Sequence, residues 1–232
     1  MDPAREAALH ALEDRLGHHF HDLGLLDRAL THTSHAHERE GSERHNESLE
    51  FLGDAVLGFV VADMLHRREP EGDEGAKSKA RAHLVTDPSL SRRAAGLSLP
   101  DLLLLGPGEE KTGGRHKTAL WANAYEAVIA ALYLDGGLEA AARFIRNQFG
   151  PDLSGDVLPL PRDDKSALQE LLQARGQDVP EYVTIAEEGP SHRRSFRVEC
   201  RIGGQVVAEG HGHSKKKAQQ EAARRALARV RG

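Results

Sequence analysis

The sequence predicts an all-α domain, then a linker, then a small α+β domain. Apolar residues recur at spacings of three and four up to about Gln148, without strand-like alternation, which is typical of helices. The stretch 150–161 contains three prolines, two glycines and no periodicity, as in a linker. Alternating apolar and polar residues begin only after it. We therefore expect an all-α domain over residues 1–148, a linker over 149–162 and an α+β domain over 163–232.

The α+β domain is predicted to have the order α-β-β-β-α. Its first helix covers 165–175 and ends at Gly176, and strands follow over 182–187, 194–202 and 205–210. Glycine-containing turns at 189–190 and 203–204 separate the strands, and a closing helix covers about 214–230. The residues expected in the core are Phe196, Val198, Cys200 and Ile202 on the middle strand and Ala218, Ala222, Ala226, Leu227 and Val230 on the closing helix.

Charge is distributed unevenly along the chain. The net charge is -5, but residues 163–232 carry 13 Lys and Arg against 10 Asp and Glu, which gives +3 there and leaves -8 for residues 1–162. From Ser214 onwards, seven basic residues accompany one acidic residue. An acidic body with a basic end is expected when one part binds a polyanion and the other concentrates carboxylates for a different purpose.

The sequence does not indicate a membrane protein or an exported one. The longest apolar run, 127–134, is far shorter than the ~18 residues that a membrane span needs, and the acidic N-terminus lacks the apolar stretch of a signal peptide. The single cysteine, Cys200, excludes an intramolecular disulfide framework and suits a reducing compartment. We therefore expect a cytoplasmic protein.

Three acids lie along one side of a predicted apolar helix. At 100° per residue, Glu47, Glu50 and Asp54 fall within about 60° of one another. The opposite arc holds residues expected to be buried: Leu49, Leu52, Val56, Phe59 and Val60. A solvated acidic face is the ordinary explanation, but it predicts Lys or Arg partners one turn away, and none occurs between Arg44 and Arg67. Unpaired carboxylates among apolar residues require a cation from outside.

A second predicted helix repeats this pattern. Asn123 and Glu126 lie three residues apart in the window 119–134, which again contains no Lys or Arg. If the two helices pack together, their carboxylate and amide oxygens form one cluster. Hard oxygen ligands without cysteine suit Mg²⁺, or Mn²⁺ in its place, and such ions activate water and bind phosphate oxygens. The chemistry expected from these residues is therefore metal-dependent phosphodiester hydrolysis.

The run 45–57, HNESLEFLGDAVL, resembles the signature of the ribonuclease III family. Other segments agree in the same order: 29–34, 73–75, 81–85, 113–115, 126–127 and 133–137. The resemblance implies a metal site formed by Glu50, Asp54, Asn123 and Glu126, with Asp54 and Glu126 as catalytic acids. It also implies four residues at the cleft or the dimer interface, namely Glu47, Phe51, Glu74 and Arg115, of which Phe51 would insert into the partner subunit.

One position departs from the family pattern. Where many bacterial members carry aspartate as the fourth ligand, this chain has Asn123. An amide oxygen still ligates a hard cation, so we expect metal binding to be weaker rather than lost. The alternative that this residue leaves open is a catalytically weak double-stranded-RNA-binding protein.

The basic end of the chain resembles a double-stranded-RNA-binding domain. Three lysines, 215–217, follow Ser214 in the first turn of the closing helix, where the helix dipole disfavours cations unless phosphates face them. A solvated basic face is the other explanation. Together, the segments 168–170, 189–192 and 212–218 resemble a domain that recognises duplex RNA by shape. The RNA-binding residues implied are Gln169, Glu170, His192, Lys215, Lys216 and Lys217, and Gln219 stands where many such domains have a further base.

With this resemblance, the sequence predicts a homodimeric endonuclease. Each subunit is expected to cut one strand of a double-stranded RNA. The expected products have 5′-phosphate and 3′-hydroxyl ends with short 3′ overhangs, and the expected substrates are ribosomal and other structured RNA. Neither a membrane nor a nucleotide cofactor is an expected partner. The fourteen histidines also suggest a zinc-dependent hydrolase as a competing hypothesis, but their spacings do not repeat and no cysteine accompanies them.

Overall fold

The computed structural model describes residues 1–37, 44–155, 163–190 and 194–231 and divides into two compact units. The first unit is Met1–Pro161 and the second is Arg162–Gly232. Among the described residues, no helix is both long enough and apolar enough to cross a membrane.

The first unit is helical, as predicted. Its helices are α1 (Pro3–Leu16), α2 (Leu23–Ala29), α3 (Thr33–His37), α4 (Glu47–Arg68), α5 (Glu74–Leu84), α6 (Asp87–Gly96), α7 (Leu99–Leu102), α8 (Pro107–Lys111) and α9 (Thr118–Phe149). Two 3-10 turns, Gly114–His116 and Gly150–Leu153, flank α9. The long helix α9 is interrupted at Gly137, whose φ of 70° lies in the left-handed region that favours glycine.

Helices α4 and α9 pack along each other at the centre of this unit, and α6 packs on α9. Residues 127–132 of α9 are all buried, which is the pattern of a helix enclosed by other helices. On α4, Leu57, Val60 and Val61 face this core. The two helices that carry the predicted acid cluster are therefore the rigid centre of the unit.

Two buried acids hold the segment between α1 and α2 against the rest of the unit. The Glu13 carboxylate accepts a hydrogen bond from the backbone N–H of Phe20 and contacts His10 Nδ1 at 2.7 Å. The Asp135 carboxylate accepts backbone hydrogen bonds from His21 and Asp22, each at 3.0 Å. These bonds hold the pKa of Asp135 at about 2 although burial opposes the shift. Asp135 thus joins the N-terminal segment to α9.

The prediction that Phe59 lies in the buried arc of α4 is wrong. Its side chain is 59% exposed, and that of Phe51 is 82% exposed. With Ala55, which is also exposed, these residues form an apolar stripe on α4 that is separate from the buried face. The residues are four apart, so they lie on one side of the helix. We refer to Phe51, Ala55 and Phe59 as the α4 apolar stripe.

The beginning of the predicted linker is folded onto the helical unit. Residues 150–153 form a 3-10 turn after α9, and Arg93 pairs with Asp152. The guanidinium of Arg68 donates a hydrogen bond to the carbonyl of Leu153 at 2.9 Å. Residues 156–162 lie outside the described residues, so the boundaries of the linker remain predictions.

The second unit has the predicted order α-β-β-β-α. Its elements are α10 (Asp164–Ala174), β1 (Glu181–Glu188), β2 (Ser195–Ile202), β3 (Gln205–Gly212) and α11 (Lys215–Arg231). The strands form one antiparallel sheet in the order β1-β2-β3. Six of the nine predicted core residues are buried together with Leu168 and Leu172 of α10, namely Val198, Cys200, Ala218, Ala222, Ala226 and Leu227. The other three, Phe196, Ile202 and Val230, are partly buried and pack against this core.

Glycines let α11 approach β3 closely. A methyl group at Gly210 would lie 2.2 Å from the backbone nitrogen of Ala222, and one at Gly212 would lie 2.6 Å from that of Ala218. On the outer edge of β3, Arg225 donates a hydrogen bond to the carbonyl of Glu209 at 3.2 Å, and Arg229 donates one to that of Val207. Helix α11 therefore covers both the face and the outer edge of this strand.

Candidate active site and RNA-binding surface

The crossing of α4 and α9 brings the acids of the two helices together. Gly53 makes the crossing possible, because a methyl group there would lie 1.8 Å from the carbonyl oxygen of Glu126. Gly53 lies directly before Asp54 and three residues after Glu50. The helices therefore approach each other closely at the level of the acids.

These acids line a cleft of about 490 Å³. Its lining residues are His32, Thr33, Asn46, Glu47, Glu50, Phe51, Asp54, Asn123 and Glu126. Six of the nine are residues that the sequence singled out, from both predicted helices. None of the nine is a lysine or an arginine. The structure thus forms the mixed carboxylate and amide cluster that the sequence pattern predicts.

The environment of the cleft disfavours the charged form of its own carboxyl groups. Burial, together with the nearby carboxylates of Asp54 and Glu50, raises the pKa of Glu126 to about 8. Burial also raises the pKa of Glu50 above its usual range, and Glu47 adds to the shift, while a hydrogen bond with the Asn123 side chain opposes it. Without a cation, Glu126 therefore holds its proton at neutral pH.

The donor set fits a hard divalent cation. Three carboxylates and one amide oxygen are available, and a cation would remove the repulsion that raises the pKa of Glu126. In the described part of the chain, no group of three or more His, Cys, Asp or Glu side chains is placed to hold a metal ion by itself.

Sequence reasoning missed three residues of the cleft: His32, Thr33 and Asn46. Asn46 is buried directly before α4, and its backbone N–H donates to the carbonyl of Thr31 at 2.9 Å. This bond joins the chain before α3 to the start of α4. His32 and Thr33 belong to segment 29–34, which agrees with the family, and this was the one available signal for them.

Two predicted site residues do not line this cleft. Glu74 lies on α5, in a small depression with Ala62, Leu65 and Lys77. Arg115 donates hydrogen bonds to the carbonyls of Pro100 and Leu103 and to the Glu110 carboxylate, so its guanidinium holds surrounding loops together. A place for either residue at a subunit interface remains a prediction.

The predicted RNA-binding residues of the second unit lie on α10 and at the start of α11. Gln169 and Glu170 are exposed on α10, and Lys215, Lys216 and Lys217 are exposed on α11. Ser214 caps α11, since its hydroxyl accepts the backbone N–H of Lys217 at 3.2 Å. The predicted residue His192 lies outside the described residues.

A further lysine stands beside Gln219. The ammonium of Lys165, in the first turn of α10, donates to Gln219 Oε1 at 2.9 Å. It also lies 4.6 Å from the centre of the Tyr182 ring, which attracts a cation. At position 219, where many such domains carry a basic residue, this chain has a glutamine. The basic residue Lys165 lies beside it.

Comparison with known proteins identifies both units. Residues 22–153 match the Ribonuclease-III-like family, and residues 165–230 match the double-stranded RNA binding motif. The chain is 47% identical over 228 residues to Ribonuclease 3 of Pelotomaculum thermopropionicum, covering 97% of this chain and 94% of the relative. The chain belongs to the ribonuclease III family. Ribonuclease 3 of Bdellovibrio bacteriovorus is 47% identical over 220 residues, which is 94% of each chain.

Solved structures of ribonuclease III nuclease domains resemble the first unit. A nuclease domain from Campylobacter jejuni, described for structural flexibility in a region involved in dimer formation, aligns with a TM-score of 0.55 at 40% identity. The alignment covers 60% of this chain and 97% of the Campylobacter jejuni domain. A 2.2 Å crystal structure from the same organism aligns with a TM-score of 0.57 at 36% identity, covering 64% and 97%.

As a member of the ribonuclease III family, this chain is a double-stranded-RNA-specific endoribonuclease. Its family implies a divalent metal cation, which agrees with the donor set of the cleft. Its second unit is a double-stranded-RNA-binding domain. The comparisons do not support the alternative of a binding protein with weak catalysis.

Proposed function

We propose that the cleft between α4 and α9 is where this endonuclease hydrolyses one strand of an RNA duplex, with Mg²⁺ bound by Glu50, Asp54, Asn123 and Glu126. Mn²⁺ is expected to substitute. The observation that carries the proposal is the raised pKa of Glu126, to about 8, in a cleft whose lining contains neither lysine nor arginine. Such a site is completed by a cation from outside.

Each residue of the cleft has a distinct role in this proposal. When bound, the cation supplies an activated water and neutralises charge on the scissile phosphate. Asp54 and Glu126 are the catalytic acids, and Glu126 would hold the cation as the carboxylate rather than as the neutral acid. Asn123 provides a neutral oxygen beside Glu50. Glu47, at the exposed edge of the cleft, is placed to orient RNA or bound water.

The active form is proposed to be a homodimer. The α4 apolar stripe exposes two phenylalanines, and burying aromatic rings is a strong driving force for association. Phe51 also lines the acid cleft, so a partner seated on the stripe would border the active site. Two clefts in one dimer would cut both strands of a duplex and leave short 3′ overhangs.

The second unit is proposed to hold the duplex by its shape. The exposed lysines at the start of α11 would bind phosphates, and Gln169 and Glu170 of α10 would contact a minor groove. The products would carry 5′-phosphate and 3′-hydroxyl ends, and the substrates would be ribosomal and other structured RNA. The lone, buried Cys200 suits a reducing compartment, and we place the activity in the cytoplasm.

Cleavage of a perfect RNA duplex, titrated with Mg²⁺ and separately with Mn²⁺, tests the assignment. Glu126→Gln should stop cleavage while duplex binding persists. Glu139→Gln is the matched control, because Glu139 is on the same helix but its side chain is 81% exposed and outside the cleft. Cleavage by Glu126→Gln at the wild-type rate would refute the site. Full activity in the presence of a zinc-selective chelator, together with loss on removal of Mg²⁺, would exclude the zinc hypothesis.

A further inference from the structure

His32 is held firmly at the edge of the acid cleft by its backbone. Its N–H donates to the carbonyl of Leu104 at 3.0 Å, and the N–H of Leu104 donates to the carbonyl of Leu30 at 2.9 Å. These bonds belong to an isolated parallel bridge between Thr31 and Leu104. The imidazole therefore projects from a fixed point of the backbone, and His32 is one of the residues that line the cleft.

The hydrogen bonds around the His32 ring define which nitrogen carries the proton. Ser34 Oγ accepts the backbone N–H of Gly106 at 2.9 Å and lies 2.8 Å from His32 Nδ1. The serine oxygen accepts from Gly106 through one lone pair and carries a proton of its own that it can donate to Nδ1. The backbone N–H of Ser34 also points to Nδ1, at 3.3 Å. Because a backbone N–H points at it, Nδ1 is the acceptor, so the neutral ring carries its proton on Nε2.

The ring is also kept neutral. Burial lowers the pKa of His32 below its usual value, against the attraction of Glu109 and Glu47. Among the described residues, no hydrogen-bond partner of His32 Nε2 is found, although the residue lines the cleft. His32 thus offers an uncharged N–H donor in a cleft whose charged groups are carboxylates.

We propose that His32 Nε2–H donates a hydrogen bond to an oxygen of the RNA backbone near the scissile phosphate. This inference rests on the proposed function of the cleft. A lysine or arginine at this place would pair with the carboxylates and compete with the cation, whereas a neutral donor binds the polyanion without neutralising the ligands. The acceptor is either a phosphate oxygen or a ribose 2′-hydroxyl, and both are oxygens that RNA-binding proteins contact.

Three variants test the proposal in cleavage assays at saturating Mg²⁺. His32→Ala removes the donor and should lower the cleavage rate about ten- to hundredfold, which is less than the roughly 10²–10³ lost with a donor to the reacting oxygen itself. His32→Gln should retain most activity, because its amide N–H reaches the place of Nε2. His32→Asn places its amide nearer to Nδ1 and should behave like His32→Ala. Wild-type cleavage by His32→Ala, or equal losses in the Ala and Gln variants with native thermal unfolding, would overturn the proposal.

Modified substrates identify the oxygen. Duplexes are made with a single 2′-deoxy or a single methylphosphonate substitution at each position near the cleavage site. At one of these positions, His32→Ala should cleave the modified duplex as fast as the wild-type protein does. If the loss is the same at every position, His32 does not contact the backbone. These outcomes are distinct from failure of the proposed function, which would appear as wild-type cleavage by Glu126→Gln.

A tautomer measurement does not depend on any variant folding. In long-range nitrogen–proton correlation spectra of the full chain, His32 should show a protonated Nε2 and an unprotonated Nδ1. The signal is assigned by its absence in His32→Gln, or by neighbouring resonances if that variant does not fold. A ring protonated on Nδ1 would overturn the proposal, because Nε2 would then have no proton to donate.

Discussion

Gly53 of α4 lies against the backbone carbonyl of Glu126 on α9. A methyl group at Gly53 would lie 1.8 Å from that oxygen, so no larger residue fits unless the helices separate. The same crossing sets the separation between the acids of α4 and Glu126. The stability of this unit and the geometry of its active site thus depend on one contact.

We expect Gly53→Ala to lower the free energy of unfolding by about 2–3 kcal/mol, because the added methyl overpacks the crossing. The cleavage rate should fall further than the loss of folded protein explains, since Glu126 moves away from Asp54. Gly58→Ala is the matched control on the same helix, where an added methyl meets open space. It should raise stability by up to about 1 kcal/mol through helix propensity. Denaturant unfolding and single-turnover cleavage measure both effects, and an active, fully stable Gly53→Ala would contradict the close contact.

The metal-free protein should lose stability as the pH rises, because of Glu126. The pKa of Glu126 is about 8 in the folded chain, above its unfolded value of 4.5, so its contribution to stability is complete below pH 4.5 and is lost as the pH rises through 8. Glu126→Gln should therefore be the more stable protein at pH 8 to 9, by about 1–3 kcal/mol after allowance for solvent screening. The difference should shrink towards pH 5. Thermal unfolding with a chelator present measures it.

Addition of a divalent cation should reverse this order of stability. Binding favours the folded wild-type protein, whereas Glu126→Gln loses a ligand. Equal unfolding temperatures for the two proteins at all pH values, with and without the cation, would show that Glu126 is not in an unfavourable environment.

The α4 apolar stripe should be needed for dimer formation. Phe51→Asp places a charge where an aromatic ring is 82% exposed, and we expect the dimer dissociation constant to rise at least a hundredfold. Val179→Asp is the control, because Val179 is an apolar residue of the second unit that is 51% exposed and does not belong to the stripe. Sedimentation equilibrium over a range of concentrations distinguishes the two. An unchanged monomer fraction in Phe51→Asp would place the subunit interface elsewhere.

Lys165 should contribute to RNA affinity because it stands beside Gln219. We expect Lys165→Met to weaken binding of a perfect duplex and to lower the slope of log affinity against log salt concentration by about one. Arg231→Met removes the same charge from the far end of α11 and serves as the control. A double variant, Lys215→Ala with Lys216→Ala, should lower the slope further. An unchanged slope in Lys165→Met would show that its ammonium has only the structural contacts with Gln219 and Tyr182.

The sequence predicted the fold and most of the cleft because both depend on local periodicity. The spacing of Glu50 and Asp54 on α4, and of Asn123 and Glu126 on α9, fixes which side of each helix they occupy, and packing the helices then brings them together. The strands and helices of the second unit followed from alternation and from glycine turns in the same way.

The features that the sequence did not predict depend on distant contacts. His32 received no role from the sequence, because its ring is fixed through Ser34 by Gly106, 72 residues beyond that serine. Phe59 was assigned to the core because hydrophobicity alone does not distinguish a face buried within one chain from a face left exposed. The role of Gly53 also needs the position of Glu126, which periodicity does not give.

The arginines at the outer edge of β3 have a consequence for a protein with two copies of its second unit. A dimer would keep two such units at a high local concentration, where exposed strand edges tend to join into a continuous sheet. Arg225 and Arg229 occupy the carbonyls of Glu209 and Val207 that a new strand would need. If both arginines are removed, these carbonyls become free to pair with another strand. The two second units of a dimer should then tend to associate with each other through β3.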